Sequence, residues 1–460
     1  MTVQNASAVK TGAVGIDLGT TNSVVAVCKG QRTVVIPTSQ STSTLPSIVS
    51  IGEEEEIIVG AAAKRLAATQ PGTTYYSVKR FMGQQLADTK DLASSVAYGV
   101  KSDEEGAVQL QCDAVEGGVL YPEEVSAYIL AELLSSAQAY LGSPVEKAVI
   151  SVPAYFGSEQ REATIEAGRL AGLTKIKLIR EPVAAALAYG VSAERDETVL
   201  VLDLGGGTWD VSILEVGGGT IEVLATGGDA NLGGDDFDNI IVDWLIRESL
   251  QAVDCTEPIM IARLKALAEK AKVALSEAMR VSLKVPVGGA DGQGVAAVLT
   301  RQHFEKLATP LFERMRLAVD EACWQAGVDL GSVMEEHYAR SKKQKNAQAQ
   351  VSAQVRPKRR APITRVLLVG GATRMPAFRR FVRNMTGLEA KGAAVDPDEA
   401  VAIGAAIQAG LYDGLVSGIM VMDIWQATLM RAFATQQLGG AGAEPGDDVD
   451  ESFEEDAEDN

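Results

Sequence analysis

A carboxylate, a glycine and a hydroxyl recur in the same order at two distant places in the chain. The first is Val14-Gly15-Ile16-Asp17-Leu18-Gly19-Thr20-Thr21-Asn22; the second is Val199-Leu200-Val201-Leu202-Asp203-Leu204-Gly205-Gly206-Gly207-Thr208-Trp209-Asp210. Each follows a β-branched apolar run that reads as a buried strand. Each leads at once into a second strand-like run, Ser23 to Cys28 or Val211 to Val216. A glycine-lined turn between two strands lets backbone N–H groups converge on an anion. An aspartate at the strand end adds a negative charge that suits a magnesium–phosphate complex better than a bare phosphate. One Asp-x-Gly turn is ordinarily only a hairpin. Two in matching contexts imply duplicated halves gripping one nucleotide.

The elements that would hold these turns alternate between strand and helix. In the first half, residues 12–197, Glu123 to Leu141 reads as a helix with Pro122 near its start and Gly142 just past its end. Lys147 to Val152 reads as a short buried strand. Ser158 to Ala171 reads as a helix with Ser158 as N-cap and Gly172 as terminator. The second half, residues 198–412, has a strongly helical stretch at Ile261 to Met279 and a strand at Val366 to Val369. The pattern predicts two α/β lobes with a cleft between them. Within the long helix, Glu269, Lys272 and Ser276 are spaced by three and four, so one face presents all three.

A chain of 460 residues can fill two or three domains, and 46% hydrophobic with 22% charged residues is ordinary globular composition. The formal charge of −19 argues against nonspecific nucleic-acid binding. About half of it sits in the ten acids between Glu444 and Asn460, and residues 439–460 read as an acidic disordered tail. Residues 340–360 form the opposite: a basic, glutamine- and alanine-rich insertion holding Arg340, Lys342, Lys343, Lys345, Arg356, Lys358, Arg359 and Arg360, read as a solvated loop. It precedes the strand Val366 to Val369 and so belongs at that strand's N-terminal end, away from a nucleotide bound beyond the carboxyl ends. Cys28, Cys112, Cys255 and Cys323 form no Cys-x-x-Cys pair, which suits free thiols in a reducing compartment; His303 and His337 form no ligand cluster. No apolar run reaches the length of a membrane span, and Met1 to Thr11 matches neither a secretory signal nor an organelle presequence.

Taken together, the motifs resemble the ATPase domain of the seventy-kilodalton heat-shock chaperones, the DnaK type. Besides the two turns, the matching blocks are Ser77-Val78-Lys79-Arg80-Phe81-Met82-Gly83, Val152-Pro153-Ala154-Tyr155-Phe156, Glu181-Pro182 through Gly190, Leu232 to Asp238, Val369 to Pro376, and Asp396-Pro397-Asp398-Glu399-Ala400. The wording around Tyr76 to Gly83 and Val108 to Val125 is closest to the cyanobacterial and plastid branch. The resemblance spans about residues 12–425 and implies an actin-like ATPase fold, two ribonuclease H-like lobes around a nucleotide cleft.

Carried over by position, the resemblance implies that Asp17 and Asp203 face each other and hold Mg2+ through its waters, with K+ alongside. Lys79 would reach the γ-phosphate and the attacking water, and Glu181 would help place the water network. Gly19, Thr20, Thr21, Asn22, Thr208 and the Gly205, Gly206 and Gly207 amides would contact the phosphates of ATP or ADP, with Gly233 and Gly234 approaching from the other lobe. Glu269, Lys272, Ser276, Gly370, Gly371, Arg374 and Asp398 would surround the adenosine. Pro153, Arg161 and Asp423 would relay the nucleotide state. Read without the family, a Lys-Arg pair is a solvated edge, Glu181 before a proline is first-turn dipole chemistry, and Glu269 with Lys272 is a surface salt-bridge face.

Residues 413–438 contain Gly418-Ile419-Met420-Val421-Met422-Asp423, which resembles the family's apolar interdomain linker; beyond it the pattern of the peptide-binding sandwich is not followed. Arg180, Val183, Gly157 and Trp209 stand where the family usually has other residues, so the hydrolytic set reads as kept and the output surface as altered. The expected function is a truncated, slowly hydrolysing ATP switch without the usual peptide-binding domain, served by a J-domain co-chaperone and a nucleotide exchange factor. The alternative is a nucleotide-stabilised subunit of a larger assembly with little turnover. A sugar kinase or filament former fits the Lys79 and Val152–Phe156 blocks less well. The expected compartment is the cytoplasm or the chloroplast stroma.

Overall fold

The computed structural model describes residues 12–30, 32–52, 56–67, 69–191, 195–250, 258–286, 294–328, 330, 362–390 and 395–416. Cys255, the basic segment 340–360, Asp423 and the acidic tail lie outside them.

Strands of the two principal sheets are numbered in chain order. The first sheet is built from β1 (Val14–Asp17), β2 (Asn22–Lys29), β3 (Arg32–Val35), β4 (Lys147–Val152) and β5 (Lys175–Arg180), in the order β5-β4-β1-β2-β3, with Leu45–Pro46 pairing onto β2. Strands β4 and β5 run parallel to β1, whereas β2 and β3 continue it as an antiparallel meander. The second sheet holds β6 (Glu197–Leu204), β7 (Trp209–Gly217), β8 (Thr220–Asp229) and β9 (Arg365–Val369), in the order β8-β7-β6-β9. Here too the first strand is followed by an antiparallel meander on one side and a parallel neighbour on the other. Both sheets therefore carry the same local order around a first strand with an aspartate at its end, Asp17 last in β1 and Asp203 next to last in β6.

The burial pattern explains the strands. Val14, Ile16, Val25, Val27 and Ile150 bury one core with Phe81, Leu130 and Leu133, and Leu202, Trp209, Ile213 and Phe237 bury another with Leu264 and Phe378. Helix α1 (Pro122–Leu141) starts where Pro122 needs no donor. The Tyr121 N–H donates to Glu124 Oε2 at 2.6 Å, and left-handed Gly142 closes the last turn. Helix α2 covers Ser158–Leu170, and its N-cap is Gly157, not Ser158. The Gly157 N–H is taken by Gln160 Oε1 at 2.9 Å, which leaves the Ser158 hydroxyl to donate to Glu159.

Two helices carry the chain between the sheets. Helix α3 (Glu181–Ala188) leads from β5 toward β6. The second-sheet side is covered by α4 (Gly234–Ser249), α5 (Pro258–Glu277), α6 (Thr309–Ala326) and α7 (Pro376–Thr386), and α8 (Ala400–Tyr412) then returns to pack on β1, β2 and α3. These contacts are backbone-close. A β-carbon on Gly404 would lie 1.8 Å from the Ala184 carbonyl oxygen, and one on Gly15 would lie 2.0 Å from the Ala406 nitrogen.

Candidate active site

The carboxyl ends of β1, β4, β6 and β9 open onto one cavity of about 820 Å³. Among its walls are Asp17, Gly19, Thr20, Thr21, Asn22, Lys79, Pro153, Glu181, Asp203, Gly205, Gly206, Thr208, Gly234, Glu269, Lys272, Ser276, Gly370, Gly371, Arg374 and Asp398. Nearly all the residues singled out from sequence thus meet in one crevice. Three described ones do not line it: Gly207, Gly233 and Arg161.

The glycines are needed because backbones touch here. A β-carbon on Gly206 would sit 2.2 Å from Thr21 Oγ1, so the two aspartate–glycine turns abut. Gly370 has φ +82° and lies against the Leu204 carbonyl, where a side chain would also strike Asp203. Gly233 and Gly234 stack on the second turn itself, not on the opposite side as expected. The Gly234 N–H donates to the Gly205 carbonyl at 2.9 Å and the Asp235 N–H to the Gly206 carbonyl at 2.7 Å. Gly207 is blocked from the cavity by Arg80, whose guanidinium donates to its carbonyl.

Strand register concentrates acid at the floor. Asp203 pairs with Asp210 across β6–β7 and with Val369 across β6–β9, while Asp17 ends β1 beside Ser151 of β4. Ser151 Oγ donates to Asp17 Oδ1 at 2.8 Å. Burial, and then the charge of Glu181, pushes Asp17 up to about 7, with Lys79 and Ser151 pulling the other way. Asp210 is likewise pushed up to about 7 by burial and Glu181, and Asp203 stands well above the usual carboxylate range for the same reasons plus Asp210 and Asp17. Against them stands Lys79, 2.6 Å from Glu181 Oε1 with only 9% of its side chain exposed. Burial alone would lower the Lys79 pKa, but Glu181 and Asp17 outweigh it and hold the ammonium charged.

Asp210, Ser151 and Arg80 were not singled out as site residues. The hairpin spacing that sets Asp203 opposite Asp210 was available in the sequence; the Ser151 and Arg80 contacts depend on tertiary packing.

At the other end of the crevice α5 presents Glu269, Lys272 and Ser276 on one face, as their spacing predicted. Glu269 pairs with Lys64 at 3.0 Å, and Lys272 pairs with Asp238 at 2.8 Å. Arg374 is bound by Asp396 and Asp398.

Asp17, Asp203 and Asp210 fit a hydrated divalent ion: they are half-buried, desolvation and then the charge of Glu181 raise the pKa of each, and Asp17 is already oriented by a hydroxyl. Among the described residues no group of three or more His, Cys, Asp or Glu side chains is gathered tightly enough to hold a metal ion directly. Also among them, no helix is long and apolar enough to cross a membrane, and Cys28, Cys112 and Cys323 are buried and form no disulfide.

A crevice where two glycine turns and a ring of acids meet one buried ammonium is a site for a polyphosphate. Comparison with known proteins agrees. The family model described as Hsp70 protein matches residues 13–336 and 342–436, so the match runs on past residue 425. Over 433 residues, 93% of the chain, it is 42% identical to chaperone protein dnaK of Cyanidioschyzon merolae and 43% identical to chaperone protein dnaK3 of Thermosynechococcus vestitus. It is 40% identical to heat shock 70 kDa protein 7, chloroplastic, of Arabidopsis thaliana over the same length. The chain spans 65%, 58% and 55% of those three relatives. The chain belongs to the Hsp70 family, and with the family comes its actin-like ATPase fold.

Proposed function

We propose that this protein binds ATP in the crevice with Mg2+ and hydrolyses it slowly to ADP and phosphate, using the nucleotide state as a switch. The observation that carries the reading is the Lys79–Glu181 ion pair, set among Asp17, Asp203 and Asp210 where the two glycine turns abut. In this reading residues 12–197 and 198–412 are two ribonuclease H-like lobes, and α3 and α8 are the crossings about which they move. The shared local strand order of the two sheets supports it.

Each group has a physical task. The amides of Gly19–Thr21, Gly206 and Thr208 bind phosphate oxygens, the Gly205 N–H being spent on the Thr208 carbonyl, and Thr20, Thr21 and Thr208 add hydroxyl donors. Lys79, held by Glu181, places a fixed positive charge where the transferring phosphoryl group develops charge and orients the attacking water. Asp17 and Asp203 would hold Mg2+ through water, with K+ alongside, and the ion would neutralise phosphate charge. Glu269, Lys272, Ser276, Gly370, Gly371 and Arg374 take the adenosine, Asp398 fixing Arg374. Pro153, Arg161 and Asp423 would relay the nucleotide state.

The partners that fit are a J-domain co-chaperone and a nucleotide exchange factor, and the compartment is the chloroplast stroma or the cytoplasm. A second reading, a subunit that retains nucleotide with little turnover, is favoured by Val183 and Trp209. Both replace the family's usual residues and are buried, and Trp209 donates to the Met315 carbonyl at 3.2 Å.

Calorimetry with Mg2+ and ATP, followed by single-turnover hydrolysis with and without a J-domain, tests both. Turnover stimulated by the J-domain supports the switch, and tight retention without turnover supports the scaffold. No heat of binding to ATP or ADP in the presence of Mg2+ would sink both.

A further inference from the structure

We infer that Asp238 is a positioning residue for the ribose end of the crevice, fixing the Lys272 ammonium so that its remaining donor faces a ribose hydroxyl. The inference rests on the nucleotide reading above and names a residue that reading does not use.

Lys272 Nζ donates to Asp238 Oδ2 and to the Gly234 carbonyl, both at 2.8 Å. An ammonium has three donors in fixed mutual geometry, so two anchored ones determine the third. Lys272 and Gly234 line the crevice, whereas Asp238 stands behind them, one helical turn along α4. It does not reach the cavity and acts through Lys272.

Stability gives no adequate reason for the pair. The Lys272 and Asp238 side chains are 12% and 9% exposed, and the second carboxylate oxygen, Oδ1, is buried with no partner among the described residues. A buried pair of that kind is roughly offset by desolvation, and an unsatisfied oxygen adds cost. What the arrangement supplies is geometry. Because the Gly234 N–H is bound to the Gly205 carbonyl, Asp238, Lys272, Gly234 and the phosphate turn form one connected line. The ribose contact is thereby set at a fixed distance from the phosphate site, as selection of a nucleoside polyphosphate over a bare one requires.

The test uses the full chain and Asp238→Ala, Asp238→Asn and Lys272→Met variants. In nucleotide-free protein, acylation of Lys272 by an amine reagent is followed by peptide mass spectrometry. Affinities for ADP and 2′,3′-dideoxy-ADP are then measured with Mg2+. Asp238→Ala should raise Lys272 labelling several-fold and weaken ADP about tenfold, the scale of one lost charged hydrogen bond, while leaving dideoxy-ADP unchanged. Asp238→Asn, which keeps an acceptor oxygen, should recover part of the loss. Asp238→Ala should add nothing to Lys272→Met. Equal loss for both nucleotides, additive losses, or unchanged labelling would overturn the assignment. Should Asp238→Ala fail to fold, Asp238→Asn decides by the same comparisons. A wild-type protein that binds neither nucleotide sinks the nucleotide reading itself; one that binds ADP no better than dideoxy-ADP sinks only the ribose contact.

Discussion

Lys79 Nζ and Glu181 Oε1 meet at 2.6 Å although 102 residues separate them in the chain. One comes from a single turn of 3-10 helix, Val78–Phe81, and the other opens α3. Their contact brings the one strongly buried ammonium of the crevice floor to the place where β1, β4 and β6 end. Because Asp17 and Asp203 crowd the same volume, Glu181 directs the charge of Lys79 as well as balancing it.

Replacing Lys79 by Ala should therefore separate binding from chemistry. ATP affinity should change less than tenfold, since backbone amides carry the phosphates, whereas single-turnover hydrolysis should fall at least about 100-fold. Lys79→Arg should not restore it, because a planar guanidinium cannot occupy the same point. Turnover close to wild type in Lys79→Ala would remove that residue from the mechanism.

The acids make a prediction about pH. Asp17 and Asp210 are held up to about 7 in the folded chain, against an ordinary value of 3.8. Below about pH 4 both folded and unfolded forms are protonated there. Between that point and about 7 the folded form keeps protons that the unfolded form has released, so stability falls as pH rises and levels off above 7. Nucleotide-free protein should melt about 5 °C or more lower at pH 8 than at pH 5.5. Asp17→Asn should flatten that slope and raise the Tm at pH 8. A Tm independent of pH across this range would contradict the burial of these acids in solution.

What could be seen in the sequence was what local rules encode. The two Asp-x-Gly turns, the helix ended by Gly142 and the Glu269–Lys272–Ser276 face all follow from spacing within a few residues, and the structure has each of them. The partners of those residues could not be seen. Nothing local links Lys272 to Asp238, Ser151 to Asp17, or Lys64 to Glu269, because each pairing depends on how helices and sheets dock. Two local readings failed for the same kind of reason. Ser158 has a capping side chain, but the chain enters α2 with Gly157 in the extended conformation a cap requires. Gly233 and Gly234 look like a phosphate clamp approaching from the other lobe, yet the Gly234 and Asp235 N–H groups are spent on bracing the Gly205–Gly207 turn and the Gly233 N–H on Asp236.

The crossing of α3 and α8 should be the least tolerant place in the fold. At Gly404 a methyl group would meet backbone, not a movable side chain: the Ala184 carbonyl oxygen at 1.8 Å and its carbon at 2.3 Å. Overpacking that cannot be relieved by a rotamer change lies at the upper end of its usual range, so Gly404→Ala should cost about 3 kcal/mol or more, or prevent folding. Urea unfolding measures it. A loss below about 1 kcal/mol would mean that the two helices separate more easily than their packing implies.

Lys64 and Glu269 make the opposite prediction, a contact with little effect on stability and a measurable one on exchange. Their side chains are 49% and 46% exposed at 3.0 Å, so the pair contributes less than about 1 kcal/mol, and Lys64→Ala should leave urea unfolding nearly unchanged. Yet the pair ties the short helix Ala61–Leu66, through Lys64, to Glu269 of α5, which lines the crevice. If the adenosine leaves past Glu269, this contact opposes its release. Release of a fluorescent ADP should be about threefold faster in Lys64→Ala than in wild type at low salt, a factor within reach of an exposed pair. Raising the salt concentration should speed the wild-type rate more than the variant's, because only the wild type has this pair to screen. Equal release rates at low salt, or an equal salt response in both proteins, would show that ADP leaves without breaking this contact.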